Sequence, residues 1–137
     1  MFDRYIGIPF KDKGRDFDGC DCWGLIRLIY KNEFNINLPE YLDAYVSTAN
    51  RKSVAEFADV EKLNWITITS RPSFGDVILF RIYGLPMHIG MAIGKRQMIH
   101  ILKGADSGIE RFDNLIWKNR ILGVYRHAKF NQSTNLS

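Results

Sequence analysis

Residues 21–24 read Asp-Cys-Trp-Gly and residues 25–30 read Leu-Ile-Arg-Leu-Ile-Tyr, and this stretch decides the fold of the 137-residue chain. Its apolar residues recur with a period near 3.6, which predicts a helix from Cys22 to about Lys31. Asp21 is of a residue type that caps helix starts, so it is the expected N-cap. The free N–H groups and the dipole of a helix start favour negative charge, so Cys22 is placed where a thiolate is stabilised.

From Trp65 onward, apolar and polar residues alternate in short segments, which is the pattern of strands. The predicted strands cover 66–68, 77–82, 88–93, 98–102, 109–112 and 122–126. A short helix with an imperfect apolar face is predicted before them, at 54–63, after an irregular segment at 32–50. A helix followed by antiparallel strands predicts an α+β fold, in which the N-terminal helix that bears Cys22 packs on a central antiparallel β-sheet.

The composition indicates one globular domain, because 46% of the residues are hydrophobic and can bury a core. We expect residues 1–127 to form this domain and residues 128–137 to be a flexible polar tail. No apolar stretch reaches the roughly 20 residues of a membrane span, and residues 1–10 lack the apolar core of a signal peptide. The expectation is therefore a chain that is made and kept in the cytoplasm, without membrane insertion, unless another agent carries it out.

The net charge of +4 is spread along the chain without a block of Lys and Arg. Nucleic-acid binding is therefore not expected. A mildly basic surface also suits an anionic polymer such as a bacterial cell wall. The two cysteines, Cys20 and Cys22, are too close together for an ordinary disulfide framework.

Two histidines, His88 and His100, lie on the two strands of a predicted hairpin. A three-residue loop at 94–96 would place His100 opposite Gly90, and side chains two apart on a strand share a face. The two imidazoles would then be diagonal neighbours, with space left by the absent side chain of Gly90. A two-residue loop would place them on opposite faces, so the loop length decides whether they meet.

A helix-start thiol and a pair of imidazoles on distant strands form the set of groups that a cysteine nucleophile needs. In this interpretation Cys22 is the catalytic nucleophile, and His88 takes its proton and later protonates the leaving amine. His100 binds the other nitrogen of His88 and fixes its tautomer. The backbone N–H of Cys22 donates to the oxyanion.

Other interpretations of these residues stay open at this point. Cys22 is also of the type found as a small buried residue, and strand histidines are often structural. The Cys20-x-Cys22 pair with two histidines could bind zinc, although the cysteine spacing is tight for a metal site. Cys20 is expected to be a small buried residue, and His127, which matches no motif, is expected to be solvated.

The chain resembles the NlpC-type cell-wall endopeptidases, a branch of the papain-like cysteine peptidases, over roughly residues 5–125. The matching segments are Gly-Ile-Pro-Phe at 7–10, Gly14, Asp-Cys-Trp-Gly-Leu at 21–25, Pro72 with Gly-Asp-Val-Ile-Leu-Phe at 75–80, His-Ile-Gly-Met-Ala-Ile-Gly at 88–94, and Met-Ile-His at 98–100. The resemblance implies a papain-like NlpC fold with Cys22 as nucleophile, His88 as base and His100 as orienting residue, and it implies no metal or cofactor. Phe10 stands where the family often has a Tyr that donates to the oxyanion, and Tyr5 is the nearby alternative hydroxyl.

Trp23 and the Leu-Pro-Glu-Tyr segment at 38–41 resemble the tail-assembly peptidases of lambda-like phages. This implies a thiol peptidase that cuts peptidoglycan stem peptides, usually between D-glutamate and the following diamino acid. It also implies tail-tip protein partners, assembly in the host cytoplasm and a place in the virion. There are two alternatives. One is a structural tail protein with little activity, and the other is an amidase or acyltransferase of the same fold.

Overall fold

A computed structural model describes residues 2–39, 65–82 and 85–130 of the chain. The predicted helix at 54–63, and the part of the irregular segment beyond residue 39, lie outside the described residues. Among the described residues, six strands form one antiparallel sheet on which a helix packs. The predicted α+β class, with the Cys-bearing helix on a central sheet, is confirmed.

The helix α1, Cys22–Ile29, begins where the sequence predicts. The side chain of Asp21 accepts a hydrogen bond from the N–H of Gly24 at 2.7 Å, so the predicted N-cap is confirmed. The chain continues as one π-helical turn, Tyr30–Phe34, and leaves it at Asn35 in the left-handed conformation. None of the described helices is long and apolar enough to cross a membrane.

The strands follow the predicted segments closely. Their bounds are β1 Arg15–Asp16, β2 Gly19–Cys20, β3 Trp65–Thr67, β4 Val77–Ile82, β5 Leu85–Ala92, β6 Gln97–His100, β7 Gly108–Arg111 and β8 Ile121–His127. β1 and β2 pair as a small hairpin in the segment that precedes α1, which we call the lead-in. The main sheet has the order β3-β8-β4-β5-β6-β7. β5 begins at Leu85, three residues before the predicted start. The strand therefore includes Pro86, where the sequence predicted a break.

The two faces of the main sheet bury different residues, as the period-two alternation of strands requires. The helix face packs against α1 and carries Val77, Leu79, Ile89, Met91 and Ile99. The opposite face, which we call the Trp117 face, carries Ile78, Phe80, Ala92, Met98, Phe112, Trp117 and Val124. Each face therefore has its own apolar cluster, and β5 contributes to both.

The end of β8 corrects one prediction. His127 is buried, with its ring edge-on to Trp65 at 4.9 Å, so the expectation of a solvated residue is wrong. Burial lowers its pKa, because a charged imidazole is poorly solvated there. Phe130, inside the predicted tail, packs on Tyr30 and Phe34. The predicted domain boundary at residue 127 stays a prediction, and residues 131–137 lie outside the described residues.

A partly buried ion pair fixes the entry to β4. Asp76 is fully buried and its two oxygens accept hydrogen bonds from Nε and Nη2 of Arg126, both at 2.9 Å. The same carboxylate accepts the N–H of Ser73 at 2.8 Å and so closes the turn before β4. This pair joins β8 to β4 beside the backbone bond in which Ala92 of β5 donates to the carbonyl of Asp76.

We predict that Arg126→Gln lowers the free energy of unfolding by about 3 kcal/mol, because it leaves the Asp76 carboxylate buried without its charged partner. Urea denaturation at pH 7 measures the change. Arg111→Gln is the matched control, since Arg111 makes a similar two-pronged pair with Asp113 on the exposed surface. A loss as large in the control as in Arg126→Gln would contradict the prediction, because exposed pairs contribute little.

Candidate active site

The predicted hairpin has the register that brings the two histidines together. Met91 pairs with Ile99 and Ala92 with Met98, and the N–H of Ile93 donates to the carbonyl of Gln97 at 2.9 Å. The loop therefore has three residues, as predicted, and His88 and His100 share a face. Their rings meet with Nε2 of His88 2.7 Å from Nδ1 of His100.

Gly90 provides the space between the two imidazoles. A Cβ atom built at this position would lie 3.4 Å from Cβ of His100 and 3.5 Å from Cε2 of Phe80. It would also lie 2.9 Å from Sδ of Met98, closer than side-chain carbons normally approach. The absence of a side chain at residue 90 therefore lets the hairpin bury both rings beside Phe80.

Trp117 and Glu110 complete the surroundings of the pair, and sequence reasoning missed both. The indole ring of Trp117 lies 5.3 Å from the His88 ring and 5.2 Å from the His100 ring, between centroids. Its Nε1 donates a hydrogen bond to the Glu110 carboxylate, and that carboxylate lies 3.6 Å from Nε2 of His100. The β6–β7 register, which pairs His100 with Gly108, is the signal that places Glu110 beside His100.

Both imidazoles are held neutral. Burial, and then repulsion between the protonated forms of the two rings, lower the pKa of His88 to about 3. Burial also lowers the pKa of His100, while the Glu110 carboxylate opposes that shift. A neutral imidazole has a lone pair that can accept a proton, but a pKa this far below 7 makes the buried His88 ring a weak base in this structure. Because the folded pKa of His88 lies below the ordinary 6.5, the stability that goes with its neutral form is present above pH 6.5 and is lost as the pH falls toward 3.

Cys22 lies at the first position of α1, almost buried in the apolar cluster of the helix face. α1 contacts β5, the strand that bears His88. His88 is paired with Phe80, so its ring projects to the Trp117 face. The structure thus brings His88 and His100 into contact and places Cys22 on the helix packed against the strand of His88.

The lead-in decides which groups can lie near the start of α1. Phe10 forms a parallel bridge with Cys20, two residues before Cys22. The hydroxyl of Tyr5, by contrast, donates to the carboxylate of Glu33, beyond the C-terminal end of α1. Glu33 is eleven positions after Cys22, which corresponds to about 16 Å along a helix. The prediction that the Tyr5 hydroxyl replaces the missing tyrosine hydroxyl at position 10 as an oxyanion donor is therefore wrong.

Cys20 behaves as the sequence predicts. It is fully buried, and desolvation, followed by the Asp21 carboxylate, raises the pKa of its thiol to about 12. Such a thiol is a poor nucleophile, because little of it is thiolate at neutral pH. In the part of the chain that the structure describes, no three side chains of His, Cys, Asp or Glu are grouped so that they could hold a metal ion.

The sequence profile described as the NlpC/P60 family matches residues 7–126, which is most of the chain. The chain belongs to the NlpC/P60 family. Membership confirms the family resemblance drawn from the motifs. It does not distinguish a phage tail branch, so that part stays a prediction.

Known relatives agree with this membership. The chain is 25% identical over 123 residues to the murein DD-endopeptidase MepS/murein LD-carboxypeptidase of Escherichia coli (strain K12), covering 88% of this chain and 57% of the relative. The chain thus spans little more than half of that relative's length.

Solved structures share the fold. The NlpC/p60 domain of the peptidoglycan hydrolase SagA superposes with a TM-score of 0.59 at 19% identity, covering 90% of both chains. An NlpC/P60 family protein from Bacillus cereus gives a TM-score of 0.65 at 22% identity, covering 90% of this chain and 36% of that one. At these identities the likeness concerns the fold.

We predict that Glu110→Gln lowers the pKa of His100 further, because the carboxylate that favours the charged imidazole is removed. Titration of the imidazole ring signals by NMR measures the change. Asp113→Asn is the control, since this nearby carboxylate pairs with Arg111 instead. An unchanged His100 titration in Glu110→Gln, or an equal change in the control, would show that Glu110 does not act on the pair.

Proposed function

We propose that this NlpC/P60 protein is a peptidoglycan endopeptidase in which Cys22 is the nucleophile, His88 the base and His100 the residue that orients His88. The observation that carries the proposal is the buried contact between Nε2 of His88 and Nδ1 of His100. It holds one nitrogen of His88 in the pair and leaves Nδ1 as the nitrogen for the thiol. His100 then acts as the orienting group of a triad.

In this proposal the Cys22 thiol meets the His88 ring beyond the end of the β5–β6 pairing. The β5–β6 register pairs Met91 with Ile99 and Ala92 with Met98, and β6 ends at His100. The His88 end of β5 therefore projects past that pairing, and α1 contacts this strand. We infer that Cys22, at the start of α1, reaches Nδ1 of His88 beside this end of β5.

The chemistry then follows the order of a thiol peptidase. Sγ of Cys22 attacks the peptide carbonyl carbon while His88 takes the thiol proton, and backbone N–H groups at the start of α1 stabilise the oxyanion. His88 gives that proton to the leaving amine as the C–N bond breaks, which leaves a thioester on Cys22. Water, deprotonated by His88, hydrolyses the thioester and restores the thiol.

Two relatives support a peptidoglycan substrate, since one is a murein endopeptidase and another is the peptidoglycan hydrolase SagA. Within that class we propose a stem-peptide bond between D-glutamate and the following diamino acid, as the family resemblance implies. An amidase or acyltransferase would use the same residues. Product analysis of digested wall fragments by mass spectrometry separates these three reactions, because each leaves a different pair of ends.

We also propose a place in a phage tail tip, with assembly in the host cytoplasm. The support is the resemblance carried by Trp23 and the segment that begins at Leu38. These features are joined in the structure, where the indole of Trp23 donates to the carbonyl of Pro39 at 2.9 Å. Mass spectrometry of purified virions tests this, since a tail component is present at fixed copy number and a free enzyme is absent.

The alternative of a structural tail protein with little activity is favoured by one observation. Phe10, beside Cys20, has no hydroxyl, and the Tyr5 hydroxyl is bound to Glu33 at the other end of α1. The lead-in therefore lacks the side-chain donor that the family often supplies to the oxyanion. A turnover close to that of the Cys22→Ala variant would favour this alternative.

We predict that Cys22→Ala abolishes cleavage of purified wall fragments, because no other group supplies the nucleophile. Release of peptide ends from purified peptidoglycan measures the activity. Cys20→Ala is the matched control: it removes a thiol two residues away that is buried and held protonated. We expect it to keep most of the activity of the folded protein. Unchanged cleavage by Cys22→Ala would rule out the proposed nucleophile.

We predict that Phe10→Tyr increases kcat, because it restores a hydroxyl donor near the start of α1. One oxyanion donor is worth roughly 100-fold to 1000-fold in rate, so even an imperfectly placed hydroxyl should give a measurable increase. Steady-state cleavage of a soluble stem peptide measures kcat and KM separately. The control is Phe17→Tyr, a ring that stacks on Tyr5, away from the start of α1. Equal effects of both variants would argue against an oxyanion role for position 10.

A further inference from the structure

A basic pocket lies on the Trp117 face, beside the β5–β6 loop. It has a volume of about 440 Å³, and its lining includes Arg71, Lys95, Arg96, Lys118, Phe112 and Ile121. Lys95 and Arg96 come from the β5–β6 loop, and Lys118 from the short helix before β8. The cationic side chains surround an apolar floor that belongs to the buried cluster of this face.

The positive charge of this pocket exceeds its negative charge, because four cationic side chains and one carboxylate, Asp113, are in its lining, and Asp113 is stabilised by Arg111 and by the charge of Arg96. Asp113, the carboxylate that lines it, already forms a two-pronged pair with Arg111 at 2.8 and 3.0 Å. The described side chains place no carboxylate within ion-pair distance of Lys95, Arg96 or Lys118. Arg111 also lines an adjoining depression with Lys95 and Arg96, so the cationic surface continues along the loop.

The backbone that carries these cations is held in place. The N–H of Phe112 donates to the carbonyl of Arg96 at 3.0 Å, which ties the loop to the end of β7. The N–H of Lys118 donates to the carbonyl of Asn114 at 2.9 Å, which fixes the opposite wall. A concave site with fixed walls and like charges at its rim attracts an anion more strongly than separate surface cations do.

We propose that this pocket binds the anionic groups, carboxylate or phosphate, of a cell-wall polymer. Arginine forks fit both groups in a two-pronged manner, and the apolar floor accommodates the chain that carries them. About 20 Å of strand and loop separate His88 from Lys95, so one extended polymer can contact both places. The inference rests on the proposed function for the identity of the polymer, while the pocket is separate from the groups that carry out cleavage.

The test compares two double variants in the full chain, both made with Cys22→Ala so that the wall is not digested. Lys95→Gln with Lys118→Gln removes two pocket charges, and Lys31→Gln with Lys103→Gln removes two exposed charges elsewhere. Co-sedimentation with purified wall sacculi at increasing salt measures binding. We expect the pocket variant to bind about tenfold more weakly at low salt, with the control nearly unchanged, and the difference to fade as salt screens the charges.

Two sets of sacculi identify the anion. Loss of the pocket-dependent binding after chemical removal of phosphodiester polymers indicates phosphate, and its retention indicates carboxylate. Equal weakening of both double variants, or no weakening of the pocket variant, would overturn the proposal. Tighter binding to a DNA duplex than to sacculi would do so as well.

A cleavage assay distinguishes failure of this proposal from failure of the proposed function. With Cys22 intact, the pocket variant should cleave a short soluble stem peptide at the rate of the unmodified chain, because the peptide does not reach the pocket. Failure of Cys22→Ala to abolish cleavage would remove the proposed nucleophile and leave the binding result unaffected.

Discussion

The hydrogen bond between His88 and His100 is the constraint on which the site depends. It exists only because β5 and β6 pair with a three-residue loop, since a slip of one residue would turn one imidazole to the other face. Gly90 leaves space for it, and Trp117 covers it. Burial then lowers the pKa of both rings and keeps them neutral at neutral pH.

Much of this arrangement could be predicted from local pattern. The cap at Asp21, the start of α1 and the hairpin register depend on neighbouring residues, and sequence rules describe such relations well. The environment of His127 could not be predicted in this way, because it depends on Trp65, sixty-two residues earlier in the chain. Its position beside a polar tail suggested solvent, and tertiary packing decided otherwise.

The residues that sequence reasoning missed are those whose role depends on long-range pairing. Glu110 meets His100 only through the β6–β7 register, and the length of the intervening loop does not fix that register in advance. Tyr5 was misplaced for a related reason. Its closeness to Phe10 in sequence does not carry over to space, because its ring lies near the far end of α1.

Alternate residues of β5 have two different roles. Ile89 and Met91 face α1 and hold the scaffold, while His88 and Gly90 face the opposite side and shape the imidazole pair. Substitutions at alternate positions therefore act on different properties of the protein. Substitutions around His88 and Gly90 can change the imidazole pair without repacking the side that holds α1. The catalytic chemistry and the packing of the fold can therefore evolve separately.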